Sequence, residues 1–201
     1  LTEVEKTQRV ARLVKTYADS RASLTNISDQ TADRVVNLIT ALAEDISDMV
    51  RVFSPTDLNS PIEVRVIPAI ASSINDSLDQ FLTESGRTID ARLPDVFDLG
   101  QNVTQKTMTS AGISVVSPEV SPRLLLSAAR ETQNVFIEAS DRLVDRILTK
   151  VSQSAVGNAT ASRAILNIED MISGSREVAK GIRRRIGFSF QAEEILRTEL
   201  G

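Results

Sequence analysis

The first 53 residues carry apolar side chains at spacings of three and four, and no Gly or Pro precedes Pro55. These spacings place the apolar positions on one stripe of an amphipathic helix. The stripe consists of Val10, Leu13, Val14, Tyr17, Leu24, Ile27, Val35, Leu38, Leu42, Ile46, Met49 and Phe53. Two structures fit the pattern: one helix of about 75 Å at 1.5 Å per residue, or a helical hairpin broken at the polar run 25–29. In the hairpin, Ser28 or Asp29 would cap the second helix. Because the stripe continues through this run, we favour one long or gently kinked helix.

Pro55 ends that first element, because the residue before a proline disfavours the helical conformation. The next helix has two possible starts. Ser60 could cap a helix that has proline at its first position, or a short extended piece could precede a helix that begins near Pro68. In either case Gly86 is the predicted C-terminal residue of this helix.

Residues 87–111 predict a further helix, entered near Pro94. The segment 112–122 contains one Gly and two Pro residues with β-branched residues between them, which is typical of a linker. We therefore predict an N-terminal helical region for docking and assembly at residues 1–111, a linker at 112–122, and a smaller helical module at residues 123–201.

Within the second module the pattern predicts helices over residues 123–156 and 160–173, with Gly174 ending the second. A shorter helix is predicted from Ser175 to Ile186, and Ser189 is expected to cap the last one. No alternating pattern is long enough for a sheet. The predicted fold class is all-α, an extended bundle of long amphipathic helices with a smaller C-terminal helical module.

Composition argues against catalysis. The chain has neither Cys nor His, which excludes thiol nucleophiles, imidazole bases and the common zinc sites. The sequence also contains no phosphate-binding glycine loop and no nucleophile motif. We predict that the protein is not an enzyme, and that it takes no cofactor, metal or small-molecule substrate. No run of 18 apolar residues predicts a membrane span.

Charge is unevenly distributed. Residues 1–120 carry 11 basic and 17 acidic side chains, whereas residues 121–201 carry 12 and 10. The C-terminal part is thus the half suited to a polyanion, and its basic cluster is the candidate site for nucleic acid or an acidic partner. This cluster consists of Arg176, Lys180, Arg183, Arg184 and Arg185. Its simpler interpretation is a solvated helix face, with cations favoured near a helix C-terminus.

Carboxylates at helical spacing occur at Glu138, Asp141 and Asp145, with Arg142 and Arg146 among them. The interleaved arginines favour surface ion pairs over a metal site.

The second half of the first stripe is the candidate surface for packing on a partner helix, in the manner of a coiled coil. Packing inside the chain's own bundle fits the same pattern equally well. The residues concerned are Val35, Leu38, Leu42, Ile46, Met49 and Phe53.

The segment 181–189, a basic run with a Gly-containing turn, is followed at 192–199 by an Ala-x-x-Ile-x-Arg-Thr-Glu-like pattern. Together they resemble the phage head morphogenesis family, the Mu F-like minor head proteins. The resemblance covers roughly residues 120–201, and residues 1–110 would be the variable helical region that precedes the family domain. It implies that Arg197, Thr198 and Glu199 are structural, with Arg197 and Glu199 in an ion pair or capping network. The chain begins without an initiator Met, and residues 192–199 have the pattern of a helix interior rather than a helix end, so we expect both ends to be cut from a longer protein. The family domain also normally continues past this motif.

The resemblance implies a structural virion component that binds portal or capsid subunits, in several copies per particle, and assists head assembly, DNA packaging or DNA delivery. It would lie inside the head near the portal, and in the host cytoplasm during assembly. Two alternatives stay open: an internal or ejected virion protein that contacts packaged DNA non-specifically through the basic cluster, and a cellular coiled-coil assembly protein.

Overall fold

The computed structural model describes residues 3–110, 112–113, 121–179 and 182–200. Within these ranges it does not describe the side chains of residues 3, 4, 6, 9, 175–179, 182–186, 199 and 200. Six α-helices and one two-stranded hairpin make up this part of the chain. They are α1 (Glu3–Phe53), a 3-10 turn (Val64–Val66), α2 (Ile67–Asp90), α3 (Leu93–Ser110), α4 (Pro122–Ala155), α5 (Ala161–Glu169), a π-helical turn (Asp170–Gly174), β1 (Ser175–Ala179), β2 (Ile182–Ile186) and α6 (Phe188–Leu200).

Helix α1 is continuous, so the prediction of one long helix is confirmed and the hairpin alternative is wrong. The polar run at 25–29 does not break the helix. Within the run, Thr25 Oγ1 donates to the Arg21 carbonyl at 3.0 Å, and just beyond it Thr31 Oγ1 donates to the Ile27 carbonyl at 2.8 Å. Side-chain bonds of this kind satisfy the hydroxyl without interrupting the ladder of backbone bonds.

Four helical columns form the bundle: α1, α2, α4, and a composite column of α5, the π-helical turn and α6. Apolar side chains from all four columns meet in one buried cluster, which confirms the all-α class. Its fully buried members include Val35, Ile39, Ile46, Ile70, Ile74, Phe136, Ile147, Ile168, Ile172 and Leu196. Because this core takes residues from both sides of 112–122, the predicted division into two modules at that segment is wrong, and α4 to α6 complete the bundle begun by α1 and α2. Residues 111 and 114–120 lie outside the described residues.

Two loops are joined at one end of the bundle. The loop after α1 offers the carbonyls of Ser60 and Leu58 to the first amides of α5, from Ala161 and Ser162, each at 3.0 Å. These bonds satisfy amides that a helix N-terminus otherwise leaves without a partner. Tertiary packing thus fixes where α5 begins, together with the side-chain cap from Thr160.

Helix α2 begins at Ile67 with Pro68 in its first turn, so the later of the two predicted starts is confirmed. The predicted end at Gly86 is wrong, because the helix continues to Asp90. Gly86 instead lies buried against α4, where an added Cβ would be 3.1 Å from Gln133 Nε2. The glycine therefore permits close packing of α2 on α4 rather than ending a helix.

The helix predicted at 175–186 is also wrong. The chain forms an antiparallel hairpin there, with Ser175 paired to Ile186. Gly174 leaves the helical conformation at φ 85°, a value that glycine adopts without steric cost. Ser189 does not cap α6, since its hydroxyl donates to the Ser173 carbonyl at 3.0 Å.

The contribution of the buried Ser154 hydroxyl to holding these loops together can be measured. Ser154 Oγ accepts from the Ile62 amide at 3.2 Å and donates to the Ala159 carbonyl at 3.0 Å. Ser154→Ala leaves the Ile62 amide without its acceptor, and we expect a loss of about 1–3 kcal/mol in the free energy of unfolding, measured by urea titration. Ser140→Ala is the matched control, because its buried hydroxyl has no hydrogen-bond partner in the described part of the chain. Equal losses in the two variants would contradict this role for Ser154.

Candidate partner-binding surfaces

The predicted partner-packing residues of α1 lie in or against the chain's own core. Val35, Leu42 and Ile46 are at most 3% exposed, and Leu38, Met49 and Phe53 pack against the buried cluster while partly exposed. Of the two interpretations, internal packing is therefore correct. The assignment of these six residues to a partner helix is wrong, because α2, α5 and α6 already cover this half of α1.

The first half of α1 behaves differently. We call residues 5–27 the arm; wherever the structure describes the burial of an arm residue, that residue is exposed or only partly buried. Val10, Val14 and Tyr17 are 59%, 63% and 57% exposed. Their spacing of four and three places them on one helical stripe, which we call the arm stripe.

The lengths of the helices explain why the arm is uncovered. Helix α2 has 24 residues and α1 has 51, about 36 and 75 Å at 1.5 Å per residue. An antiparallel α2 therefore covers roughly the second half of α1. Helix α3 follows α2 in the chain and also contacts α1, which places it beside the arm. Leu93 is the one buried residue described in α3, so little of α3 is packed tightly. Helix α3 thus covers one side of the arm, and the other side is exposed.

The basic cluster lies on the hairpin. Arg176 is paired in register with Arg185, Glu177 with Arg184, and Val178 with Arg183. Lys180 lies outside the described residues, and the arginine side chains are also outside the description. The register thus sets two basic residues, Arg176 and Arg185, at directly opposed positions of the two strands.

The hairpin leaves the bundle through a narrow base. A Cβ added to Gly187 would lie 2.3 Å from Gly174 Cα and 2.7 Å from Gly174 N. Backbone atoms cannot move aside as a flexible side chain can, so this contact requires glycine. The two strands consequently emerge side by side.

The predicted surface ion pairs of α4 are absent from the described residues. Arg142 Nε donates to the Glu138 backbone carbonyl at 3.1 Å, and neither Arg142 nor Arg146 pairs with a carboxylate described in the structure. The prediction of ion pairing with Glu138, Asp141 and Asp145 is therefore wrong. Two arginines are left facing solvent on α4.

Arg197 forms two ion pairs, with other partners than the Glu199 that the resemblance implied. Its Nη2 lies 3.3 Å from Asp29 Oδ1 on α1 and 2.8 Å from Glu193 Oε1 on α6. Thr198 Oγ1 donates to the Glu194 carbonyl at 2.8 Å, and the Glu199 side chain lies outside the described residues. Arg197 thus ties α6 to α1 near the point where the arm begins.

Among the described residues, no group of three carboxylates could hold a metal ion, and no helix is long and apolar enough to cross a membrane. In comparisons with protein-family models, characterised proteins and solved structures, no match was found.

The sequence pattern identified the arm stripe as part of a longer apolar stripe, but it did not reveal that this part is uncovered. The four-residue spacing of Arg142, Arg146 and Lys150 was the available signal for a cationic edge on α4, and it was also missed.

The hairpin base is tested by substituting its glycine. Gly187→Ala should lower the free energy of unfolding by about 1–3 kcal/mol, because the added methyl overlaps backbone. The control Gly100→Ala, where an added Cβ meets nothing within 4 Å on α3, should raise it by about 0.5–1 kcal/mol through helix propensity. Chemical unfolding of both variants measures the difference, and a Gly187→Ala protein as stable as wild type would refute the close contact.

A second test concerns Arg197. Its side chain and that of Asp29 are both about half exposed, so solvent screens the pair. Arg197→Ala should cost less than about 1 kcal/mol, and the cost should shrink in 1 M salt. Thermal melting compares it with Arg163→Ala, an exposed arginine of α5 with no ion pair in the described part of the chain. A loss that is unchanged by salt would mean that Arg197 acts through packing instead.

Proposed function

We propose that this protein is a non-enzymatic assembly component, a minor head protein of a bacteriophage particle, which docks by helix packing on portal or capsid subunits. The observation that carries the assembly role is the arm stripe on a helix that extends past its own bundle. The head as the place of assembly is supported by the resemblance at residues 181–199. The protein would act inside the head near the portal.

The chemistry of the arm suits docking. An amphipathic helix with one side on α3 and an apolar stripe on another can complete its packing by accepting a partner helix. Covering Val10, Val14 and Tyr17 would contribute roughly 3–6 kcal/mol. That is too little for a tight one-to-one complex once the entropy of association is subtracted, which favours attachment of several copies around a particle.

A second candidate function is non-specific contact with packaged DNA through the hairpin. The observation that favours it is the register that sets Arg176 opposite Arg185. It predicts duplex binding that weakens steeply as salt concentration rises, because phosphate contacts release counterions.

The docking function is tested by the triple variant Val10→Ser, Val14→Ser, Tyr17→Ser in epitope-tagged full chain, expressed in cells that produce the phage heads. Because these side chains are exposed in the free protein, we expect an unchanged core and near-normal melting. We also expect wild-type protein in gradient-purified heads and at least a tenfold loss of the triple variant from them, corresponding to about 1.4 kcal/mol or more. Quantitative mass spectrometry of the heads provides the measurement.

The matched control is Val52→Ser with Val64→Ser, two apolar side chains that are at least as exposed but lie away from the arm. It should enter heads like wild type. Heads that lack the wild-type chain would reject the head function, and full incorporation of the triple variant would reject docking through the arm.

A further inference from the structure

A groove runs along α4 on the side that faces the composite column. Its first part, of about 430 Å³, lies between Arg146 and Lys150 of α4 and Asp170 of the π-helical turn. Its second part, of about 340 Å³, continues between α4 and α6. Arg146 and Met171 line both parts, so the two parts are neighbours along α4, and we call them together the groove.

The floor of the second part is apolar. It is formed by Val135, Ala139, Leu143, Met171, Phe188 and Ile195. The Phe188 ring packs edge-on against Phe81 at 5.7 Å between centroids, which makes this floor the outer face of the bundle core. Ala139, Leu143 and Phe188 are already buried in the chain's own core, so the partly exposed Val135, Met171 and Ile195 are the floor residues that gain free energy when apolar side chains cover them.

The edge of the groove is cationic. Arg142, Arg146 and Lys150 recur every four residues on α4, and therefore lie along one side of that helix. Arg146 makes no hydrogen bond or ion pair with any residue that the structure describes, and Lys150 bonds only the neutral Gln153 at 3.2 Å. Among the described residues that line the groove, Asp170 is the single carboxylate.

The arginine-rich hairpin begins at the same place. Gly187, which closes the hairpin base, lines the first part of the groove. The hairpin strands carry four arginine positions. The chain therefore enters its most arginine-rich segment from this end of the groove.

We propose that this groove binds an acidic amphipathic helix of a partner protein. The apolar floor takes the apolar stripe of that helix, and the α4 cations pair with its carboxylates. From Val135 to Lys150 the groove follows about four turns of α4, enough for a partner helix of similar length. A nucleic acid would use the cations but leave the apolar floor uncovered, so the combination favours a helix.

The test uses the full chain and a fluorescein-labelled peptide of about 16 residues, with Leu at helical spacing and Glu at the flanking positions. Anisotropy should show saturable binding that weakens as salt rises. A peptide of the same composition, scrambled to abolish the stripe, should not bind. Arg142→Glu with Arg146→Glu should weaken binding of the amphipathic peptide by about tenfold or more.

Arg123→Glu with Arg130→Glu is the matched control, since it makes the same charge change on α4 at two exposed positions outside the groove, and it should bind like wild type. Val135→Ser tests the floor separately, should also weaken binding, and keeps the test decisive if the double reversal unfolds. The arm-stripe triple variant should bind the peptide normally, so failure here and failure of the proposed docking role are distinguishable.

Three results would overturn the proposal. The first is peptide binding that survives both the charge reversal and Val135→Ser. The second is a dimer of this chain that the charge reversal dissociates, which would make a second copy the occupant. The third is a DNA duplex that binds through Arg142 and Arg146 while the acidic peptide does not.

Discussion

The structure depends on one helix that is longer than the bundle packed around it. Between Thr31 and Val50, α1 buries one face against α2 and the composite column, and that face supplies a large part of the core. Towards its N-terminus the same helix continues beyond α2, and α3 covers only one side of it. Burial of apolar area is the main favourable term in folding, so the two halves of α1 differ greatly in how strongly they are held.

Each candidate surface follows from incomplete coverage by the helical columns. The arm extends beyond α2, the groove lies where α4 and α6 do not close on each other, and the hairpin leaves through the interruption between Gly174 and Gly187. The arm offers apolar side chains, the hairpin offers cations, and the groove combines both. A protein that holds several neighbours together at one place can use such different surfaces without competition between them.

Local pattern was enough to predict the helices and most of the core, because the spacing of Val35, Leu42 and Ile46 is a property of one segment. It could not show that Val14 on the same stripe is exposed, since this depends on the length of α2. The hairpin was missed because Val178, Ile182 and Ile186 recur every four residues, which fits a helix. Their strand pairing depends instead on the approach of Gly174 to Gly187, a contact between positions 13 residues apart. The unpaired state of Arg146 was likewise hidden, because the nearby acids in sequence suggested partners.

The central claim is that the core holds the second half of α1 while the arm is free for a partner. Hydrogen exchange along α1 in the isolated full chain tests it most directly, because protection reports the free energy of local opening. Amides of residues 31–50 should exchange only through global unfolding, and those of residues 5–24 should exchange through much cheaper local opening. Equal protection along the whole helix in the isolated monomer would contradict the account.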